Sequence, residues 1–232
     1  MLRPSIYPNL IGQAAMLEDR AFITMKHDDN PWAEGLVFTV ILGAVVGVAG
    51  LIGGFLTSAS LPPANALLQV ILNALHQHPQ DAANPLLLEN ILGQSWFFYT
   101  TLVGHDSGWL RLLIFIWTPL GLVLQWLMSG FLVHLSAKFQ GGNGTFNQTL
   151  GATSLMAAPS ILRLFTILPF VHVSAILLVV WSTLILFRAV QVAHDLPWRQ
   201  AALAAVVPLL FMLLGLGIFE TIVIALLSGG SV

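Results

Sequence analysis

Between the eight Lys and Arg and the ten Asp and Glu of this chain run at least four uncharged stretches rich in Leu, Ile, Val and Phe, each long enough to cross a bilayer. A run of roughly 20 apolar residues crosses the roughly 30 Å hydrocarbon layer as a helix, because a helix satisfies every backbone donor and acceptor where water is absent. The pattern predicts an all-α, polytopic integral membrane protein, a bundle of about five transmembrane helices. With 57% apolar and 8% charged residues, against about 25% charged in average soluble domains, neither a disordered chain nor a soluble domain fits. The net charge of −2 offers no basic surface to nucleic acid, and a cysteine count of zero removes disulfides, thiolate metal sites and cysteine nucleophiles.

The first apolar stretch begins near Leu36, behind a mixed-charge leader, and is too long for a signal h-region, so it reads as a retained span. In the leader, residues 1–35, Leu10, Ala14, Leu17, Ala21 and Met25 recur at three- and four-residue spacing. That period predicts an amphipathic helix, expected on the cytoplasmic membrane surface. Asp28, Asp29, Asn30 and Pro31 form a helix start, with Glu34 at the positive end of the dipole. Spans are expected over 36–56, 111–137 with a kink at Pro119, 148–168 carrying Pro159 and Arg163, 172–192, and 200–227 with Pro208 in its first half. Residues 36–232 thus read as one transmembrane domain with an outer loop, 58–110. The pieces 66–75 and 86–92 of that loop are too short to cross, and Trp96, Phe97, Phe98, Tyr99 and Trp109 suit the headgroup level.

Five spans place the termini on opposite sides. With the N-terminus inside, the inner segments hold Arg3, Arg20, Lys26, Lys138, Arg188 and Arg199, against Arg111 and Arg163 near outer ends, and loop 58–110 contains no Lys or Arg. The positive-inside rule then predicts a cytoplasmic N-terminus, an external C-terminus and residence in the inner (cytoplasmic) membrane.

Ala137-Lys138-Phe139, the turn Gly141-Gly142-Asn143-Gly144-Thr145-Phe146, Gln148-Thr149-Leu150 and Ala157-Ala158-Pro159 resemble the central signature of the Yip (Ypt-interacting protein) domain family. Val192-Ala193-His194 followed by Arg199-Gln200-Ala201 is similar to it too. The resemblance covers about residues 105–215, with Gly141, Gly142, Gly144 and Pro159 as the family-signature turn and kink. It implies a five-pass helical fold with a cytoplasmic N-terminus. In eukaryotes the family is associated with Rab-type GTPases and vesicle traffic. The short leader departs from the longer cytoplasmic regions of those members, which weakens the inference of a GTPase partner and points to the prokaryotic type.

Gly43, Gly47, Gly50 and Gly54 are spaced four, three and four apart, on one helix face where another backbone can approach closely. Packing against the protein's own helices is the simpler reading, and a partner helix the sharper one. Glu220 falls roughly 12 Å below the outer boundary, and Arg163 roughly 7 Å from the outer end of its span. A buried Arg163–Glu220 ion pair is the structural reading; proton or ion handling by Glu220 is the functional one.

Gly141-Gly142-Asn143-Gly144 lacks the preceding strand and the following GK[ST] of a phosphate loop, so it reads as an inter-helix turn with Asn or Thr capping the third span. His76, His78 and Asp81 are metal-ligand types, but two histidines and one carboxylate in a Pro-rich loop read as solvated. His134 resembles a tetrapyrrole ligand in type alone, and no second histidine is expected at its depth. Trp117, Trp126 and Trp181 read as packing. No Ser-His-Asp order, paired carboxylates, H-E-x-x-H or Walker pattern appears, so no catalytic, cofactor or metal residue is expected.

Two functional classes remain. One is a non-catalytic scaffold or accessory subunit that contacts lipid and other integral membrane proteins, in a larger complex or a homo-oligomer, or shapes the bilayer. The other is a small transporter or channel with Glu220, Gln125 and the Pro119, Pro159 and Pro208 kinks along a polar path. The absence of an internal inverted repeat argues against transport.

Overall fold

A computed structural model describes residues 4–77, 89–96, 100 and 112–229; for residues 64, 216, 219–220 and 222–229 it describes the backbone alone. Among the described residues the regular elements are all helical, and include, in order, α1 (Tyr7–Ala15), α2 (Asp19–Lys26), α3 (Pro31–Ser60), α4 (Ala64–Gln77), α5 (Ile114–Phe139), α6 (Phe146–Ser154), a 3-10 segment (Leu155–Ile167), α7 (Ala175–His194) and α8 (Trp198–Gly229). Among the described residues, five stretches are long and apolar enough to cross a membrane: Pro31–Ser60, Ile114–Phe139, Phe146–Ile167, Ala175–His194 and Trp198–Gly215. The protein is an all-α, multi-pass membrane protein.

Two compact units form. The first comprises Met1–Gly43, Leu120–Ile161 and Ser174–Val232, and the second Ala44–Pro119 and Leu162–Val173. In the first unit Phe22, Met25, Phe38, Trp126, Val133, Leu155, Ile185 and Val190 are fully buried. Leu124, Phe131, Ile176, Leu203 and Leu214 of the spans are exposed, the apolar surface a bilayer would cover.

The leader departs from the expected amphipathic helix in two ways. It breaks into α1 and α2 at Leu17, whose φ of 60° is left-handed and cannot continue a helix. Its apolar residues Leu10, Ala14, Ala21 and Met25 are buried instead of facing lipid, with α1 packed on α2 and α7, and α2 on α6 and α7. Tertiary burial takes the face that the period had assigned to the membrane surface.

The third span also differs from expectation. It is α-helical only to Ser154 and continues as a 13-residue 3-10 helix. Pro159 has no amide to offer the Leu155 carbonyl, so the i to i+4 ladder cannot run through it. At about 2.0 Å rise per residue the 3-10 segment reaches roughly 26 Å, longer than the same residues would as an α-helix. Residues 155–160 are all buried.

The second unit contains α4, the helix that covers the first apolar piece of loop 58–110. Within it a Cβ on Gly53 would lie 1.7 Å from the Thr166 carbonyl oxygen, whereas one on Gly47 would meet Phe115 and Thr118 at an ordinary 3.5 Å. The backbone approach at Gly53, outside the four-glycine stripe, is thus closer than that at Gly47.

Candidate functional site

The polar groups of the first unit converge where α5 ends, α6 begins and α7 ends. Thr145 caps α6 by accepting the Gln148 amide at 3.3 Å, and the Gln148 side chain accepts the Thr145 amide at 3.0 Å. This capping box satisfies two helix-end donors at once. One turn into α6, the Thr149 hydroxyl sits 2.8 Å from the Thr145 carbonyl, 2.9 Å from His134 Nδ1 and 2.8 Å from His194 Nε2.

A hydroxyl has one proton. Donated to the Thr145 carbonyl, it leaves the oxygen lone pairs to both imidazoles, so the network assigns protons to His134 Nδ1 and His194 Nε2. The imidazoles therefore donate to Thr149 and do not draw its proton, the opposite of what an activated nucleophile needs. The two rings lie 5.2 Å apart, with Phe146 edge-on to His134 at the same distance. His194 is 1% exposed, and its Nδ1 is buried without a hydrogen bond.

Glycine is required around His194. A Cβ on Gly142 would fall 2.7 Å from His194 Nδ1, and one on Gly144 would fall 2.4 Å from the Ala193 carbonyl oxygen. Gly141 adopts φ 86°, a conformation other residues rarely take. The Asn143 amide donates to the His194 carbonyl at 3.2 Å. The turn thus wraps the end of α7, which closes at Asp195 in the left-handed region, φ 55°.

The leader is pinned to α7 by three polar contacts. Lys26 Nζ donates to the Val192 carbonyl at 2.7 Å and lies 3.3 Å from Asp195 Oδ1, placing a cation on the negative end of the helix. Arg188 pairs with Asp19 at 2.6 Å, and Trp181 Nε1 donates to the Ala15 carbonyl at 3.0 Å. A fourth link reaches α3, where the Tyr7 hydroxyl donates to Glu34 Oε1 at 2.6 Å and the Tyr7 ring meets Phe38 edge-on. Burial first, then the bond to the Glu34 carboxylate, pushes the Tyr7 phenol well above its ordinary range. Asn147 Oδ1 accepts the Trp32 amide at 2.8 Å, capping α3 from the start of α6.

The Yip1 domain profile matches residues 15–219, most of the chain, and takes in His134, Thr149 and His194. The chain belongs to the Yip1 domain family. No curated protein and no solved structure matches it at significance.

Within this Yip1 domain the predicted site residues separate. Gly141, Gly142 and Gly144 are brought onto His194, and Pro159 lies buried in the 3-10 segment. Gly43 and Gly47 are buried and Gly50 and Gly54 half-buried in α3. Arg163 is exposed, and its carbonyl accepts the Thr166 hydroxyl at 2.6 Å. The side chain of Glu220 lies outside the described residues, as do His78 and Asp81. His76 Nε2 lies 3.5 Å from Glu89 Oε2, and no cluster of three metal-ligand residues occurs among the described residues.

The sequence reading missed three groups. His194 is the second histidine that His134 was expected to lack; a separation of 60 positions hides the pairing. Glu34, read only as a first-turn acid, is 1% exposed and bound by Tyr7. Thr149 sat inside the quoted family signature with no role assigned to it.

Proposed function

We propose that this Yip1 domain protein is a non-catalytic membrane scaffold or accessory subunit that binds other integral membrane proteins, alone or in a larger complex. It lies in the cytoplasmic membrane with its N-terminus inside and its C-terminus outside. The observation that carries the reading is the pinning of the leader to α7 and α3 by Lys26, Asp19, Trp181 and Tyr7, all by bonds internal to the first unit. Polar groups engaged in this way hold a shape and are not poised for chemistry on a substrate. The Lys and Arg of the leader, of the Gly141 turn and of the α7–α8 connection support the cytoplasmic placement of this end.

Purification in mild detergent, with identification and quantification of co-purifying chains, tests the proposal. A stoichiometric membrane-protein complex is the expected result, and recovery of this chain alone would overturn it. Single cysteines at Asn143 and Gln77 test the orientation, since there are no native thiols. An impermeant reagent in intact cells should label position 77 and spare position 143.

A further inference from the structure

Halfway along the spans, the first unit opens a cleft of about 250 Å³ between α5, α7 and α8, lined by Gln125, Ser129, Ser182, Thr183, Pro208 and Met212 among others. Gln125 lies roughly 21 Å from the Phe139 end of α5, Ser182 roughly 18 Å from the His194 end of α7, and Pro208 roughly 15 Å from the Trp198 end of α8, at 1.5 Å per residue. All three therefore lie near the middle of a hydrocarbon layer about 30 Å thick.

Gln125 is exposed at this depth, and among the described residues none of Gln125, Ser129 and Ser182 makes a side-chain hydrogen bond. Thr183, by contrast, donates to the Val179 carbonyl at 2.8 Å. Pro208 has no amide for the Ala204 carbonyl, so a backbone acceptor on α8 is released one turn from the cleft wall. Unpaired carboxamide and hydroxyl groups in hydrocarbon are costly, and no water is present at mid-bilayer to satisfy them.

The depth selects the occupant. Lipid acyl chains carry no hydrogen-bonding group at the bilayer centre, and headgroups lie about 15 Å away. A neighbouring transmembrane helix does reach that depth, and its side chains bring donors and acceptors there with the backbone already satisfied. We propose that this cleft is a docking site for a partner transmembrane helix that carries one carboxamide or hydroxyl side chain near its midpoint, received by Gln125 with Ser129 and Ser182. The proposal rests on the scaffold reading and names the chemistry of its partner.

The test uses two synthetic helices of Leu and Ala in phosphatidylcholine vesicles, one with a single central Asn and one without. Energy transfer from a label on a cysteine at Asn143 of the full chain reports association. The Asn helix should associate roughly fivefold or more tightly than its apolar counterpart. Gln125→Leu should erase the difference and Gln125→Asn restore it. Equal association of the two helices would mean an apolar groove filled by lipid or any helix, and would overturn the proposal. So would a preference that survives Gln125→Leu. Gln125-dependent transfer between two labelled copies, without peptide, would name a second copy as the occupant and overturn the partner assigned here. A co-purifying complex that persists in Gln125→Leu would sink this site and leave the scaffold reading standing.

Discussion

Lys26 Nζ meets the Val192 carbonyl at 2.7 Å across 166 positions of sequence, tying the leader to the last turn of α7. The contact combines a charge-assisted hydrogen bond with a cation at a helix C-terminus. Lys26→Met should release α2 at a cost of about 1–2 kcal/mol, seen as faster amide exchange over residues 19–26 with the spans unchanged. Unchanged exchange would show that the apolar face of α2 holds it unaided.

Tyr7→Phe should destabilise by about 1–3 kcal/mol, because it strips a donor from the buried Glu34 carboxylate. The sign of its pH dependence follows from the raised phenol. Stabilisation of the neutral phenol is fully present below its ordinary value near 10 and is lost as pH rises above that. The gap between wild type and Tyr7→Phe in detergent melting should be flat from pH 7 to 9 and narrow above 10. A gap that widens there would reverse the assignment.

Thr149→Val keeps the shape of the side chain but removes the oxygen that both His134 and His194 face. A loss of about 2–3 kcal/mol is expected, since two imidazole donors are left without an acceptor in a buried setting, and Thr149→Ser should recover most of it. Adding His134→Leu to Thr149→Val should cost less than the two single losses summed, a coupling readable in a double-mutant cycle. Strict additivity would remove the cluster as a unit.

Glycine positions rank by the space their structure leaves. Gly144→Ala drives a Cβ to 2.4 Å from the Ala193 carbonyl and Gly53→Ala to 1.7 Å from that of Thr166, while Gly47→Ala meets only 3.5 Å contacts. Folded yield in detergent should fall sharply for the first two and little for the third. Gly47→Ala proving the most damaging would instead support the proposed stripe of Gly43, Gly47, Gly50 and Gly54 as the close-packed face.

Arg163 and Glu220 remain a proposed ion pair. Glu220→Gln and Arg163→Gln should each destabilise, and the double substitution less than their sum. If Glu220→Gln instead kept the fold and abolished a pH-driven flux in reconstituted vesicles, a permeation path through Glu220 would displace the scaffold reading.

The five spans were legible because hydrocarbon admits so few solutions: a long apolar run with at most one or two charges identifies a crossing helix. Thr145 as the cap of α6 was legible for a local reason, a hydroxyl three residues before Gln148. What escaped the sequence is long-range. The period of Leu10, Ala14, Ala21 and Met25 marks an apolar face but cannot say whether lipid or α7 covers it, and nothing local to Leu17 announces its left-handed turn. His134 and His194 meet through Thr149 only after three spans have packed side by side.

The leader leaves the ribosome before the spans, yet every contact that holds it to α7 is made by residues synthesised much later: Trp181 reaches back 166 positions to Ala15, and Val192 the same distance to Lys26. At about 5–20 residues per second of translation, that interval is roughly 8–33 s. Throughout it, the leader has α3, and later α6, to pack on, but the α7 surface that completes the burial of Leu10, Ala14, Ala21 and Met25 does not yet exist. The nascent chain must therefore hold a half-covered apolar ribbon at the membrane surface until the fourth span has been inserted and the leader can close onto it.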